Sequence, residues 1–127
     1  MAEQLVVEAG NESFGPGRTR VEVNATGAVR ISNRFLGRER AVEAAIPPAD
    51  AARLLQQARA VRPPPPWPGR PLIPDEVTYQ IAVYDGGSAA YTTACLHGDL
   101  RADPTADDLI TTLRGIVREA ANRQIIL

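Results

Sequence analysis

The stretch Glu76–Leu96, EVTYQIAVYDGGSAAYTTACL, carries the strongest local pattern in the chain and decides its fold. Two alternating runs flank Asp85–Ser88, where paired glycines favour a tight turn between antiparallel strands. If Asp85 lies opposite Ser88, alternation puts one set of side chains on the buried face: Val77, Tyr79, Ile81, Val83, Ala90, Thr92, Ala94 and Leu96. The other face is then polar and uncharged, and it carries Thr78, Gln80, Ala82, Tyr84, Ala89, Tyr91, Thr93 and Cys95.

Residues 18–46 predict three more antiparallel strands, because apolar and polar residues alternate on both sides of two turns. The first turn is Ala25–Gly27 and the second is Leu36–Gly37. Together they pair the apolar residues on one shared face: Val21 with Ile31, Val23 with Val29, Ile31 with Val42, and Val29 with Ala44. A slip of one residue in either turn would break this agreement. Leu5–Glu8 is a candidate for a fourth strand.

Two segments with a period of 3.6 residues predict amphipathic helices. The first opens at Pro47–Pro48 and ends before Pro63–Pro66, since proline cannot continue a helix. Its apolar stripe consists of Ala51, Leu54, Leu55, Ala58 and Val61. The second helix starts at Asp103–Thr105, and its stripe consists of Leu109, Leu113, Ile116, Val117 and Ala120. For residues 63–75, which are rich in proline, the sequence predicts a stiff extended crossover.

The order of elements predicts an α+β fold in a single domain, residues 1–127. We expect a mainly antiparallel sheet with both amphipathic helices packed on one face and the other face open to solvent. Residues 1–17 add an extra N-terminal strand and loop.

Composition excludes several classes of function. The chain has 127 residues and a net charge of -1, so it lacks the basic excess that attracts a phosphate backbone, which argues against a nucleic-acid partner. Its apolar runs fall short of the ~20 residues that cross a bilayer, so we expect no membrane partner. No export signal is recognisable, which predicts a cytoplasmic protein. The single Cys95 allows no intrachain disulfide.

Cys95 and His97 are the most reactive residue types in the chain, and they lie two residues apart. On one strand their side chains would be separated by roughly 6 to 7 Å, too far for direct proton transfer. We therefore expect no catalytic residue, no metal ligand and no cofactor, and we expect His97 to pair with Glu76. An enzyme that used this pair would need a depressed thiol pKa.

Charge is distributed unevenly along the chain. Residues 18–40 hold six arginines and two glutamates, a net charge of +4, whereas residues 63–109 have a net charge of -5. Alternating arginines are typical of the solvated face of a strand. The alternative interpretation is that the arginines of residues 18–40 form a surface that binds an acidic protein partner.

Two quoted segments resemble a known family. Ile46–Leu55 reads IPPADAARLL, and after the proline-rich crossover Asp75–Gly87 reads DEVTYQIAVYDGG. In this order they are similar to the emfourin family over about residues 38–120. The resemblance implies a strand-strand-helix-strand-strand-helix layout and a small bacterial inhibitor of thermolysin-like zinc proteases. It assigns no contact residue to this chain.

The first hypothesis is therefore a non-enzymatic protein-binding module, resembling a metalloprotease inhibitor, that presents a rigid sheet and its turns to a partner's cleft. The candidate apolar contacts are Phe14, Phe35, Leu36, Tyr84 and Tyr91, and Arg34 and Arg38 would pair with acids beside the cleft. The alternative is a structural or regulatory adaptor that self-associates, or binds another protein, through the open sheet face or an edge strand. The alternative function therefore includes a homo-oligomer.

Overall fold

The computed structural model describes residues 3–11, 13, 15, 17–63, 77–121 and 125–127. They form six strands, two α-helices and one 3₁₀ helix, which confirms the predicted α+β class. In chain order the elements are β1 (Glu3–Gly10), β2 (Arg18–Asn24), β3 (Ala28–Phe35), β4 (Arg38–Ala45), α1 (Pro48–Ala60), β5 (Thr78–Asp85), β6 (Ser88–Leu96), the 3₁₀ helix (His97–Ala102) and α2 (Pro104–Ala121).

One six-stranded antiparallel sheet has the order β4-β3-β2-β1-β5-β6. The N-terminal strand β1 lies at its centre, paired with β2 on one side and with β5 on the other. Leu5, Val7 and Ala9 of β1 are buried on the helix side. Val6 points to the opposite, open face and is still only 5% exposed. The strand predicted from Leu5–Glu8 therefore lies between the two halves of the sheet and pairs with both.

The registers predicted for residues 18–46 are confirmed. Val21 lies opposite Ile31 and Val23 opposite Val29, while β3 and β4 pair Ile31 with Val42. Gly27 has a φ of +94°, and its carbonyl accepts a hydrogen bond from the N–H of Ile46 at 2.8 Å. A Cβ at this position would lie 2.0 Å from the Ile46 oxygen, so only glycine fits the first turn.

The predicted faces of β6 are wrong beyond its first residues. Asp85 lies opposite Ser88 and Tyr84 opposite Ala89, as expected, but Val83 then lies opposite Tyr91. The extra residue, Ala90, forms a β-bulge that exchanges the two faces of the strand.

The helix side of β6 consequently carries Tyr91, Thr93 and Cys95 instead of Ala90, Thr92 and Ala94. Tyr91 is half-buried and Cys95 is 2% exposed. A tyrosine ring and a thiol bury more apolar area than two alanine methyl groups, which favours the bulged register. In addition, the Tyr91 hydroxyl donates a hydrogen bond to the carbonyl of Val61.

Both helices pack on one face of the sheet, as predicted. The stripe of α1 is buried against β1 and β5 at Ala51, Leu54, Leu55, Ala58 and Val61. In α2 the buried residues are Ala106, Leu109, Ile110, Leu113, Val117 and Ala121, whereas Ile116 and Ala120 of the predicted stripe are half-buried.

Asp103 starts α2, as expected. Its Oδ1 accepts hydrogen bonds from the N–H groups of Thr105 at 3.1 Å and Ala106 at 3.3 Å. These two bonds satisfy backbone donors that a helix leaves unpaired at its first turn. The 3₁₀ helix just before it was not predicted, and it joins the edge strand β6 to α2.

Candidate functional site

The turn between β3 and β4 projects an apolar side chain into solvent. Phe35 lies opposite Arg38, so only Leu36 and Gly37 form the turn, with φ of 50° and 78°. Two-residue hairpin turns with positive φ normally contain Asn, Asp or Gly, because a Cβ crowds the backbone there. Among the described residues Leu36 alone combines a side chain with a positive φ, and it is 67% exposed.

Leu36 therefore carries two unfavourable features at once. A left-handed backbone costs a residue with a Cβ about 1 to 2 kcal/mol. A leucine left in water also forgoes the roughly 1.5 to 3 kcal/mol that its full burial would contribute. Gly37 beside it lies in open space, where an added Cβ would meet no atom within 4 Å. Conformational strain of this kind is concentrated at functional sites.

The base of this turn is held firmly. Phe35 is half-buried, and the β1–β2 loop passes close to it at Gly17. A Cβ on Gly17 would lie 2.9 Å from the Phe35 Cβ and 2.7 Å from the Arg34 oxygen. The approach is so tight that the loop braces the end of β3. The projecting leucine thus stands on a rigid hairpin.

Two arginines flank the turn. Arg34 forms an ion pair with Glu39 at 3.4 Å, and both side chains are more than half exposed. Arg38 is exposed at the start of β4. The end of the β3–β4 hairpin therefore presents one apolar tip between positive charges. We call Arg34, Phe35, Leu36, Gly37 and Arg38 the tip site.

The structure separates the other sequence-predicted contacts from the tip site. Tyr84 is half-buried on the open face, between Gln4 of β1 and Ala89 of β6. It lies at the opposite end of the sheet, about 20 Å away along the strands at 3.3 Å per residue. Tyr91 faces the helices because of the β-bulge, and Phe14 lies outside the described residues.

Charged side chains on β1 and β2 pair with one another across the open face. Arg20 contacts Glu8 at 3.1 Å and Glu22 at 2.7 Å, and Arg18 contacts Glu8 at 2.9 Å. Burial raises the pKa of Glu8, but the hydrogen bonds and charges of the two arginines outweigh it and hold that pKa below its ordinary value. Burial lowers the pKa of Arg20, and its two glutamates outweigh this and raise it.

These pairs favour the interpretation of the alternating arginines as a solvated strand face. The sequence alone missed the pairing because Glu8 reaches Arg18 and Arg20 only when β1 lies beside β2. The strands β5 and β6, together with Val6 of β1, carry a different surface on the same face. There Val6 lies opposite Ala82, which lies opposite Thr92. The open face of β5 and β6 carries no charged side chain, and we call it, together with Val6, the uncharged half of the open face.

Cys95 and His97 lie in different surroundings. Cys95 is buried on the helix side, and its Sγ lies 3.5 Å from the carbonyl oxygen of Leu96. Burial, and then the charges of Asp99 and Asp103, raise the pKa of its thiol to about 11. A thiol of this kind is neutral near pH 7 and a poor nucleophile.

His97 is exposed and lies beside Arg114 and Tyr79. Its Nδ1 lies 3.4 Å from the Arg114 guanidinium, and its ring centre lies 6.1 Å from that of Tyr79. The expected partner Glu76 lies outside the described residues. Within the described ranges, no cluster of three or more His, Cys, Asp or Glu side chains is arranged to hold a metal ion.

A groove beside α2 was not anticipated from the sequence. It has a volume of about 620 Å³, and it is lined by His97, Arg114, Val117, Arg118 and residues 125–127. The Arg114 guanidinium already donates hydrogen bonds to the Tyr79 hydroxyl and, at 3.3 Å, to the carbonyl oxygen of Leu127. The polar groups of the groove are thus largely used within the chain.

The chain matches no protein-family model and no curated protein. In the part of the chain that the structure describes, no helix is long and apolar enough to cross a membrane.

Proposed function

We propose that this chain is a non-enzymatic protein-binding module that inserts its tip site into the cleft of a partner protein. The observation that carries the proposal is Leu36, which is 67% exposed at a φ of 50°. Solvent and backbone both disfavour leucine at that position. A partner that buries the side chain would recover the hydrophobic free energy that the free protein forgoes.

Rigidity supports docking through a cleft. The turn is short, it closes an antiparallel hairpin, and Gly17 packs against its base. A preorganised loop loses little conformational entropy on binding, so more of the contact energy contributes to affinity. Arg38 would then form charged contacts at the rim, where such contacts contribute more to association rate than to affinity.

We propose a thermolysin-like zinc metalloprotease as the partner. The support is the resemblance of Ile46–Leu55 and Asp75–Gly87 to the emfourin family. The element order β3-β4-α1-β5-β6-α2 is also the strand-strand-helix-strand-strand-helix layout that the resemblance implies. A protruding apolar tip that occupies a substrate cleft blocks it without any reaction.

The test is inhibition of thermolysin by the purified chain, followed with a peptide substrate. We expect loss of activity at or below about 10 µM inhibitor, which corresponds to a binding free energy near -7 kcal/mol. Leu36→Asn should weaken inhibition at least tenfold. This replacement suits a positive φ, so the variant stays folded.

The matched control is Thr26→Asn in the β2–β3 turn, which lies at the other end of the sheet and is also exposed. It should inhibit like the parent chain. Full protease activity at 10 µM of the parent chain would contradict the metalloprotease proposal.

A structural or regulatory adaptor is the second candidate function. The observation that favours it is the uncharged half of the open face, where Val6, Ala82 and Thr92 lie in one row across three strands. A partner that docks there would leave the tip site free. Replacement of Ala82 by Arg should abolish such binding and leave protease inhibition unchanged.

A further inference from the structure

The two edges of the sheet differ in how they are protected. The edge strand β4 includes Arg38, Glu39, Arg40 and Glu43. Charged side chains on an edge discourage pairing with another chain. The other edge, β6, has nine residues, Ser88–Leu96, without a charged residue or a proline. Among the described residues no strand pairs with its outer edge, whose backbone groups form a row that another strand can join.

The bulge divides β6 into a short first part and a longer straight part. After Ala90 the strand pairs regularly with β5 from Tyr91 to Leu96. Thr92 and Ala94 are exposed, and Thr93 is half-buried. The straight part is thus regular, and its side chains on the open face are accessible.

We propose that β6 pairs with β6 of a second copy of this chain. The pairing is antiparallel about a twofold axis normal to the sheet at Thr93, and it doubles the six strands of one copy into a continuous sheet. The inference goes beyond protease inhibition, because the tip site lies at the opposite edge and stays free in the dimer.

The sequence of β6 is complementary to itself in this register. Thr92 lies opposite Ala94 of the second copy, and Tyr91 lies opposite Cys95 of the second copy. At the axis the two Thr93 residues lie opposite each other. Every pair keeps small or uncharged side chains together on the same face. Threonine pairs across antiparallel strands are favourable, and no like charges meet. The uncharged half of the open face also continues across the axis.

This dimer does not depend on a disulfide. Each Cys95 lies opposite a tyrosine, so the two thiols do not meet at the axis. The thiol is also buried within its own copy at 2% exposure. Reductant should therefore leave the dimer intact, whereas a dimer linked through cysteine would dissociate.

The experiment is light scattering coupled to size exclusion, with the purified chain at 100 µM in reductant. We expect a mass twice the 13.6 kDa of one chain. The double variant T92K/A94K places lysine opposite lysine on both sides of the axis, and its mass should fall to that of one chain. T92K/A94E places lysine opposite glutamate in the same register and should keep the doubled mass.

The control is A41K on the edge strand β4, where Ala41 is exposed on the open face. It should leave the doubled mass unchanged. All three positions are exposed, and circular dichroism melting checks that each variant is folded. A parent mass of 13.6 kDa at 100 µM would overturn the proposal. A T92K/A94K variant that keeps the doubled mass would overturn it equally, because the contact would then lie elsewhere.

Discussion

Asp103 accepts a hydrogen bond from the backbone N–H of Arg62 at 2.7 Å. One carboxylate thereby joins the residues that follow α1 to the start of α2, whose first turn it caps through Thr105 and Ala106. The side chain is 7% exposed, so a lost partner there is not replaced freely by water. The relative position of the two helices on the sheet rests partly on this group.

Replacement of Asp103 by alanine should destabilise the fold. The change removes a helix cap and leaves the Arg62 N–H without its acceptor, so we expect a loss of about 1 to 3 kcal/mol in the free energy of unfolding. Asp103→Asn keeps an oxygen acceptor and should cost less. Urea denaturation measures both. Equal losses for the two variants would show that charge, and not the cap, is what matters.

Leu36→Asn should stabilise the free protein. Asparagine tolerates a positive φ better than leucine, and we expect a gain of about 0.5 to 1 kcal/mol in the free energy of unfolding. Thermal and urea unfolding measure this effect. The variant would then be more stable and yet a weaker inhibitor, a combination that damage to the fold cannot produce. A clear loss of stability would mean that Leu36 packs favourably in the free chain.

Acid should weaken the open-face ion pairs through Glu8. Its pKa in the folded protein is below the ordinary value, so the unfolded chain binds the proton more readily. The stabilisation is therefore present above the ordinary glutamate pKa of about 4.3 and is lost as pH falls through the lower, folded value. Glu8→Gln should flatten the decrease in unfolding free energy below pH 5. An unchanged slope in that variant would assign the acid sensitivity to other carboxyl groups.

The Cys95 thiol should react slowly in the folded chain. With a pKa of about 11, it is protonated at pH 8 and also buried. We expect iodoacetamide to modify the folded protein far more slowly than the urea-unfolded protein, with mass spectrometry as the measurement. His97→Ala should not change the rate. A fast reaction at pH 7 that needs His97 would instead support the enzyme hypothesis.

Sequence patterns predicted the N-terminal half of the sheet well because two signals agreed there. The turns at Gly27 and Leu36–Gly37 and the alternation of apolar residues both specified one register. In β6 the segment AAYTTACL has weak contrast between its two faces. Alternation therefore did not reveal the bulge at Ala90, and Tyr91 was assigned to the wrong face.

The candidate site was predictable in part for a related reason. Phe35, Leu36 and the two arginines lie near each other in sequence, and the hairpin keeps them together. Tyr84 reaches its neighbour Gln4 only through the pairing of β5 with β1. Pairing between strands so far apart in the chain leaves no trace in local periodicity, so neither the central position of β1 nor the spread of the candidate contacts could be derived.

The central position of β1 has a consequence for synthesis on the ribosome. Residues 3–10 leave the ribosome before both of their partner strands. The strand β2 follows directly and covers one edge of β1, whereas the other edge is covered only after residues 78–85 are made. Contacts of such wide sequence separation slow folding. A nascent chain that ends before β5 would expose apolar surface that later elements cover in the folded protein. We therefore expect chaperone dependence to be greatest for chains of intermediate length.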